Sequence, residues 1–193
     1  MIYLPKQISQ RPANCQRLLF FLAGPIRGGG DWQASMAELL FKHDNDIDIA
    51  CPCRWTKQHR LSGWFYAPFS QAENRQVVWE RYHLHRASND IQKPGCTIYW
   101  LPLESVTDPH PGPEPYGMDT RRELGKLTAY LEMIRDFPWL RSQFSARFVI
   151  GGHCDFHGLS TILDELSIAL GKEVPFYEDM ETCVQHAFVA ARQ

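Results

Sequence analysis

Arg17-Leu18-Leu19-Phe20-Phe21-Leu22-Ala23-Gly24-Pro25 is the stretch on which the fold turns. Its apolar run shows no polar alternation, which suits a strand covered on both faces in a parallel sheet, and Gly24-Pro25 ends it. Just downstream, Asp31 stands where a helix N-cap belongs, ahead of Trp32 to His43 with Met36, Leu39 and Leu40 at helical spacing. A strand followed at once by a helix opens a βα unit.

The alternation continues outward. Ile47 to Pro52 reads as a short strand, Ala72 to Ala87 as a helix carrying Val77, Val78, Trp79, Tyr82 and Leu84, and Cys96 to Pro102 as another buried strand. Thr120 to about Arg135 is a helix with Leu124, Leu127, Leu131 and Ile134 along one side. Arg147 to Ile150 is a strand ended by Gly151-Gly152, and Leu159 to Leu170 a helix with Gly171 placed as a C-terminal cap. Val174 to Tyr177 and Met180 to Ala191 complete the series as strand and helix. Strands separated by helices predict a single-domain α/β three-layer sandwich with a mostly parallel, about five-stranded sheet, flavodoxin/Rossmann-like. Residues 1–17, with two prolines and no period, read as an N-terminal arm, and residues 18–193 as the domain.

Composition narrows the classes. A chain of 193 residues, 44% hydrophobic and 22% charged, is one globular domain rather than a disordered segment. A net charge of -2 and a pI of about 6.4 supply no basic field for a nucleic acid. The longest apolar stretch, Leu18 to Ile26, falls well short of the ~20 residues that span a bilayer, and the first residues hold no secretory run, so a cytoplasmic setting without membrane contact is expected. Six cysteines without a CxxC pair read as reduced thiols. Cys51-x-Cys53 with His59, and His153-Cys154-Asp155-x-His157, lack the paired spacing of zinc sites, so no metal is expected. His83 and His85, two apart on a helix, read as surface or interface residues.

Two segments carry chemistry. Gly24-Pro25-Ile26-Arg27-Gly28-Gly29-Gly30-Asp31 sits at the ligand-facing end of the first strand but lacks both the P-loop Gly-Lys-Ser/Thr and the G-x-G-x-x-G fingerprint. It is a flexible turn or a place where backbone approaches a small ligand closely. In Tyr116-Gly117-Met118-Asp119-Thr120-Arg121-Arg122-Glu123-Leu124-Gly125, the Thr120-x-x-Glu123 spacing is that of a capping box. Asp119 adds a second carboxylate, and two close carboxylates can divide nucleophilic and acid/base work in glycosyl chemistry.

Phe21-Leu22-Ala23-Gly24-Pro25-Ile26 with Asp31-Trp32, Gln76-Val77-Val78-Trp79-Glu80, Cys96 to Pro102 and Thr120-Arg121-Arg122-Glu123-Leu124-Gly125, in that order, resemble the nucleoside 2-deoxyribosyltransferase family over roughly residues 18 to 155. The resemblance implies that Glu123 is the nucleophile attacking the anomeric carbon and that Glu80 contacts the sugar 5'-hydroxyl. Gly24, Pro25 and Ile26 would then line the sugar, and Asp31 would belong to the substrate-binding set. Some members carry a catalytic aspartate six residues before the nucleophile, where this chain has Gly117, so Asp119 is the substitute acid. Others read Asn-Pro-Arg-Arg where this chain reads Cys51-Pro52-Cys53-Arg54, which leaves Arg54 as the substrate contact from that loop.

Transfer of 2-deoxyribose between nucleobases through a covalent glutamyl intermediate is the expected activity, without cofactor, on a deoxynucleoside and a free base. A nucleoside or nucleoside 5'-monophosphate N-glycosidase and a non-catalytic nucleotide-binding module are the alternatives. The proline-rich stretch from Leu103 to Pro115 is the expected lid. The resemblance also implies a homo-oligomer, for which Trp55, Trp64, Phe65, Tyr66 and Phe69 are a contact surface unless they cover their own subunit.

Overall fold

The computed structural model describes residues 1–5, 16–66 and 76–193. Strand β1 is Ile2–Tyr3 and β2 is Leu19–Ala23; helix α1, Trp32–His43, leads to β3, Asp48–Ala50. Helix α2, Gln76–Ser88, precedes β4, Gly95–Leu101, and α3, Met118–Asp136, precedes β5, Phe148–Gly152. Helix α4, Leu159–Leu170, β6, Phe176–Tyr177, and α5, Met180–Ala191, finish the chain. The sheet is six-stranded and wholly parallel, in the order β1-β3-β2-β4-β5-β6. Strand order reverses direction between β2 and β4, so the crevice beyond their carboxyl ends is the switch point where open α/β sheets take ligands.

The period of two along β2 assigns its side chains to two cores. Phe20 and Leu22 pack with α1 and α5, through Met36, Leu40, Val184 and Phe188, while Leu19, Phe21 and Ala23 pack with α2, α3 and α4, through Trp79, Leu124, Leu127 and Leu166. Helices therefore cover both faces of the sheet, the three-layer arrangement expected. Each fully buried side chain, such as Phe20, Phe21, Trp79 and Phe188, contributes roughly 1.5–3 kcal/mol of transfer free energy or more. Gly171 ends α4 in the left-handed conformation, with φ of 72°, as its position implied.

Four readings change. The sixth strand comes from the start of the expected arm: Ile2 and Tyr3 pair with Ile49 and Ala50, and the Met1 amino group donates to the Ile47 carbonyl at 2.6 Å. A two-residue edge strand has no period to read, and it is held by β3 rather than by its own pattern. The rest of the arm, residues 6–15, lies outside the described residues, as do residues 72–75, with which α2 was expected to begin.

The capping box does not form, because Gly117 occupies the N-cap of α3 in the left-handed conformation and Thr120 is buried within the first turn. Asp31 holds the N-cap position of α1, yet its carboxylate pairs with Arg60 rather than with the helix N–H groups. His83 is fully buried against Trp79, Tyr82 and Tyr3, with Nδ1 3.0 Å from the Trp79 carbonyl oxygen, and burial lowers its pKa to about 4. It is a core residue and not a surface one.

Among the described residues no helix is long and apolar enough to cross a membrane. The five described cysteines are free thiols; Cys15 lies outside the described residues.

Candidate active site

The glycine-rich turn leaves β2 at the switch point, and its shape depends on Gly24. Its φ of +154° is a conformation side chains avoid, and an added Cβ would collide with the Trp100 carbonyl and the Trp32 ring. The Trp32 indole N–H donates to the Pro25 carbonyl at 2.8 Å, fixing the turn on α1. From the other side comes the proline-rich segment, where Ser105 N–H donates to the Gly28 carbonyl at 2.5 Å and the Tyr116 hydroxyl donates to the Pro102 carbonyl at 3.1 Å. A Cβ on Gly29 would stand 3.0 Å from the Tyr116 hydroxyl, so the expected lid already rests on the turn. Gly117 carries this packing to α3: its Cβ position lies 3.6 Å from Pro25 and 3.0 Å from Phe156.

Glu123 stands in the second turn of α3, half-buried, on the face of the sheet that also carries α2. Burial, then the charge of Glu80, then that of Asp119 push its carboxyl up to about 7, while Lys126 pulls the other way. Glu80, on α2, is raised as well, first by burial and then by Asp119; a hydrogen bond from Gln76 and the charges of Arg54 and Lys126 oppose the rise. Two half-buried carboxyls from different helices thus stand at the carboxyl end of the sheet, close enough for the Glu80 charge to bear on Glu123. Tyr99 of β4 is buried near them, and burial foremost, with the Glu123 charge, holds its phenol far above its usual range as a neutral O–H. Perturbed acids grouped in this way are a physical mark of a reactive site.

Arg54, expected to meet substrate directly, is tied in by a relay. Its guanidinium donates through Nε and Nη2 to Gln76 Oε1 at 3.1 and 2.8 Å, and Gln76 Nε2 donates to Glu80 Oε1 at 2.9 Å. Asp119 shares this end of α3, but its side chain is 93% exposed and accepts from Arg122 Nη1 at 3.0 Å. Asp31 is drawn away, to Arg60 and to His59, whose Nε2 lies 3.9 Å from its Oδ1. Ile26 is exposed on the turn. The structure therefore gathers Glu123, Glu80, Asp119 and, through Gln76, Arg54, with Gly24 and Pro25 at the neighbouring switch point, while Asp31 serves the loop around Arg60. Gln76, Tyr99 and Lys126 carried no signal as separate residues; what links them is the meeting of α2, α3 and β4.

Two concavities flank this site rather than contain it. A groove of about 240 Å³ between α3 and α4 is lined by Arg121, Gly125, Thr128 and Glu165, and a shallower one runs along residues 154–160. Neither is lined by Glu80 or Glu123, and we place the candidate site on the carboxyl pair because the chemistry lies there. His153, Cys154 and Asp155 bring their donor atoms within 4.8 Å of one another. The Nδ1 lone pair of His153 is already taken by the Asp155 N–H at 3.1 Å, and Glu178 foremost holds the Cys154 thiol above its usual pKa.

The aromatic loop packs on its own chain: Trp55 stacks on His59 and Trp64 on Phe41, Tyr66 packs tilted against Tyr3, and Phe65 bridges to β1. Phe69 lies outside the described residues. No family model and no curated protein matches the chain, so its resemblance rests on the motifs themselves.

Proposed function

We propose that the chain transfers 2-deoxyribose between nucleobases, with Glu123 as nucleophile. The observation that carries this reading is the Glu123–Glu80 pair, two half-buried carboxyls on neighbouring helices at the carboxyl end of the sheet, with the Glu80 charge raising Glu123. In the first step an ionised Glu123 oxygen bonds to the anomeric carbon as the N-glycosidic bond breaks, and the bonding electrons leave with the base, which takes up a proton. Asp119 would have to release Arg122 to supply that proton. A second base, giving its N–H proton to the group that protonated the first, then attacks the same carbon from the face the first one left. As it does, the carbon–oxygen bond breaks and its electrons return to the Glu123 carboxylate, so configuration is retained overall. Glu80 accepts a hydrogen bond from the 5'-hydroxyl, and the glycine turn supplies backbone at close range to the sugar. These steps ask for no metal or organic cofactor.

Incubation with a panel of deoxynucleosides and a second base, read by chromatography and by intact mass of the quenched protein, tests the reading. Exchange of bases together with a deoxyribosyl adduct that disappears in Glu123→Gln is the expected result. Release of free sugar without exchange would make the chain an N-glycosidase using the same residues. A rise in Tm with a nucleoside but no released base would make it a binding module. A cytoplasmic homo-oligomer belongs to the same proposal. The described rings of the aromatic loop pack on their own chain while Trp64 stays exposed, and light scattering decides the assembly.

A further inference from the structure

Amide side chains are ambiguous until a neighbour fixes which end is oxygen, and at Gln76 the neighbour is decisive. Arg54 can only donate, so the amide oxygen must face it; the NH2 group then has to face Glu80 Oε1, 2.9 Å away, with the Pro52 carbonyl at 3.4 Å as a second acceptor. Two bonds from one guanidinium hold the oxygen, so the amide cannot turn without breaking both. Glu80 is therefore offered a donor and never an acceptor from this side, an arrangement that suits the carboxylate and not the acid.

Among the described residues no such donor reaches Glu123. The charged and titratable groups among them that bear on the pair are Asp119 and Lys126 on α3, which act on both carboxyls, Arg54 on the loop after β3, whose charge favours the ionised form of Glu80, and Tyr99 on β4, which lies near Glu123.

We propose that Gln76 is a positioning residue whose clamped amide keeps Glu80 as the charged member of the pair and leaves the pair's proton on Glu123. The proposal rests on the reading of Glu123 as nucleophile for its consequence, although the hydrogen bonds that carry it do not. A charged Glu80 is the better acceptor for a substrate hydroxyl. Burial first, and the Glu80 charge second, hold Glu123 protonated until the solution is near neutral, so that turnover requires the proton to leave Glu123.

The test titrates both carboxyls by 13C NMR of Glu-labelled protein, assigned with Glu80→Gln and Glu123→Gln, in the wild type, Gln76→Leu and Gln76→Glu. In Gln76→Leu the Glu80 midpoint should rise by about one pH unit, since a hydrogen bond to a charged group is worth roughly that, and that of Glu123 should fall by a smaller amount, as far as Glu80 gives up its charge where Glu123 titrates. In Gln76→Glu the added negative charge removes the donor and should raise both midpoints. The acid limb of kcat/KM should move with Glu123 in each variant. Unchanged midpoints in Gln76→Leu, with near-UV circular dichroism preserved, would overturn the proposal, and so would both midpoints moving together in that variant. If the midpoints move as stated while no deoxynucleoside is turned over, the positioning role stands and the transferase reading fails.

Discussion

Two groups of acids sit at the carboxyl end of the sheet, one on each side of the switch point, and they are treated in opposite ways. On the α1 side, Asp31 and Glu38 share Arg60, whose Nε donates to Glu38 at 2.7 Å, and all three side chains are about half exposed. On the α2–α3 side, Glu80 and Glu123 lie half-buried, and the cations that bear on them, Lys126 on both and Arg54 on Glu80, oppose the rise in their pKa without cancelling it. The first arrangement is what a surface does with acids: it pairs them in water, where such pairs are worth little. The second keeps like charges together out of water, which costs folding free energy and leaves a carboxyl with a proton to exchange near neutrality. Function is therefore sought where the electrostatics are left unresolved.

The comparison breaks most visibly if the unresolved side proves inert. Glu123→Gln keeps the shape of the side chain and removes its ability to attack, so turnover should fall by about a thousandfold or more, as for a removed nucleophile. The paired side offers the control: Glu38→Gln should leave turnover within about twofold, since its side chain meets Arg60 on the far side of the switch point. Equal losses in the two variants would erase the distinction drawn between them.

A smaller effect sharpens what the unresolved side recognises. A nucleoside offers Glu80 a 5'-hydroxyl donor, whereas a 5'-monophosphate places negative charge beside it. Unit charges about 4 Å apart interact by roughly 4 kcal/mol at an effective dielectric of 20, of which screening and Arg54 recover part. The ratio of kcat/KM for a deoxynucleoside over its 5'-monophosphate should be about a hundredfold, and Glu80→Gln should narrow it. Preference for the monophosphate would instead mean that Arg54 or Arg27 reads the phosphate, and would redirect the reading to a nucleotide N-glycosidase.

How far the sequence reached differs between these regions for physical reasons. Helix α4 and strand β2 were legible because burial on their own patterns determines them: an unbroken apolar run for β2, and for α4 a periodic stripe ended by Gly171. The helical extent of α1 was legible too, but not the partner of Asp31, because Arg60 comes from a loop 29 residues away. Thr120 and Glu123 fit a capping box by spacing, and the glycine one residue before Met118 took the cap instead. Glu80 and Glu123 could be named from their motifs, whereas Gln76 acquires its role only when Arg54, 22 residues upstream, folds back on it. Long-range polar contacts leave no periodic trace.

The pH dependence of stability adds a further measurement. Glu123 rises from an ordinary carboxyl value of 4.5 to about 7 on folding, so between those values the folded chain holds the proton more tightly than the unfolded one. Its contribution to stability is complete below about 4.5 and is lost as pH rises through about 7. Denaturant midpoints measured from pH 4.5 to 8 should therefore decline less in Glu123→Gln than in the wild type, and the variant should be the more stable of the two at pH 8. Parallel curves would mean that Glu123 is as well solvated as Asp31 and Glu38.

The smallest expected effect concerns the side where charges are settled. Removing the guanidinium in Arg60→Ala leaves Asp31 and Glu38 without their shared partner, but both are half exposed and water can take its place. The loss should stay under about 1 kcal/mol by denaturant unfolding at moderate salt, and should shrink further as salt is raised. The acid limb of activity should not move, because Arg60 is not among the charges that bear on Glu123. If Arg60→Ala moved that limb, the two acid groups would be one electrostatic system across the switch point. Asp31, expected among the substrate contacts, would then bear on the reaction through that system.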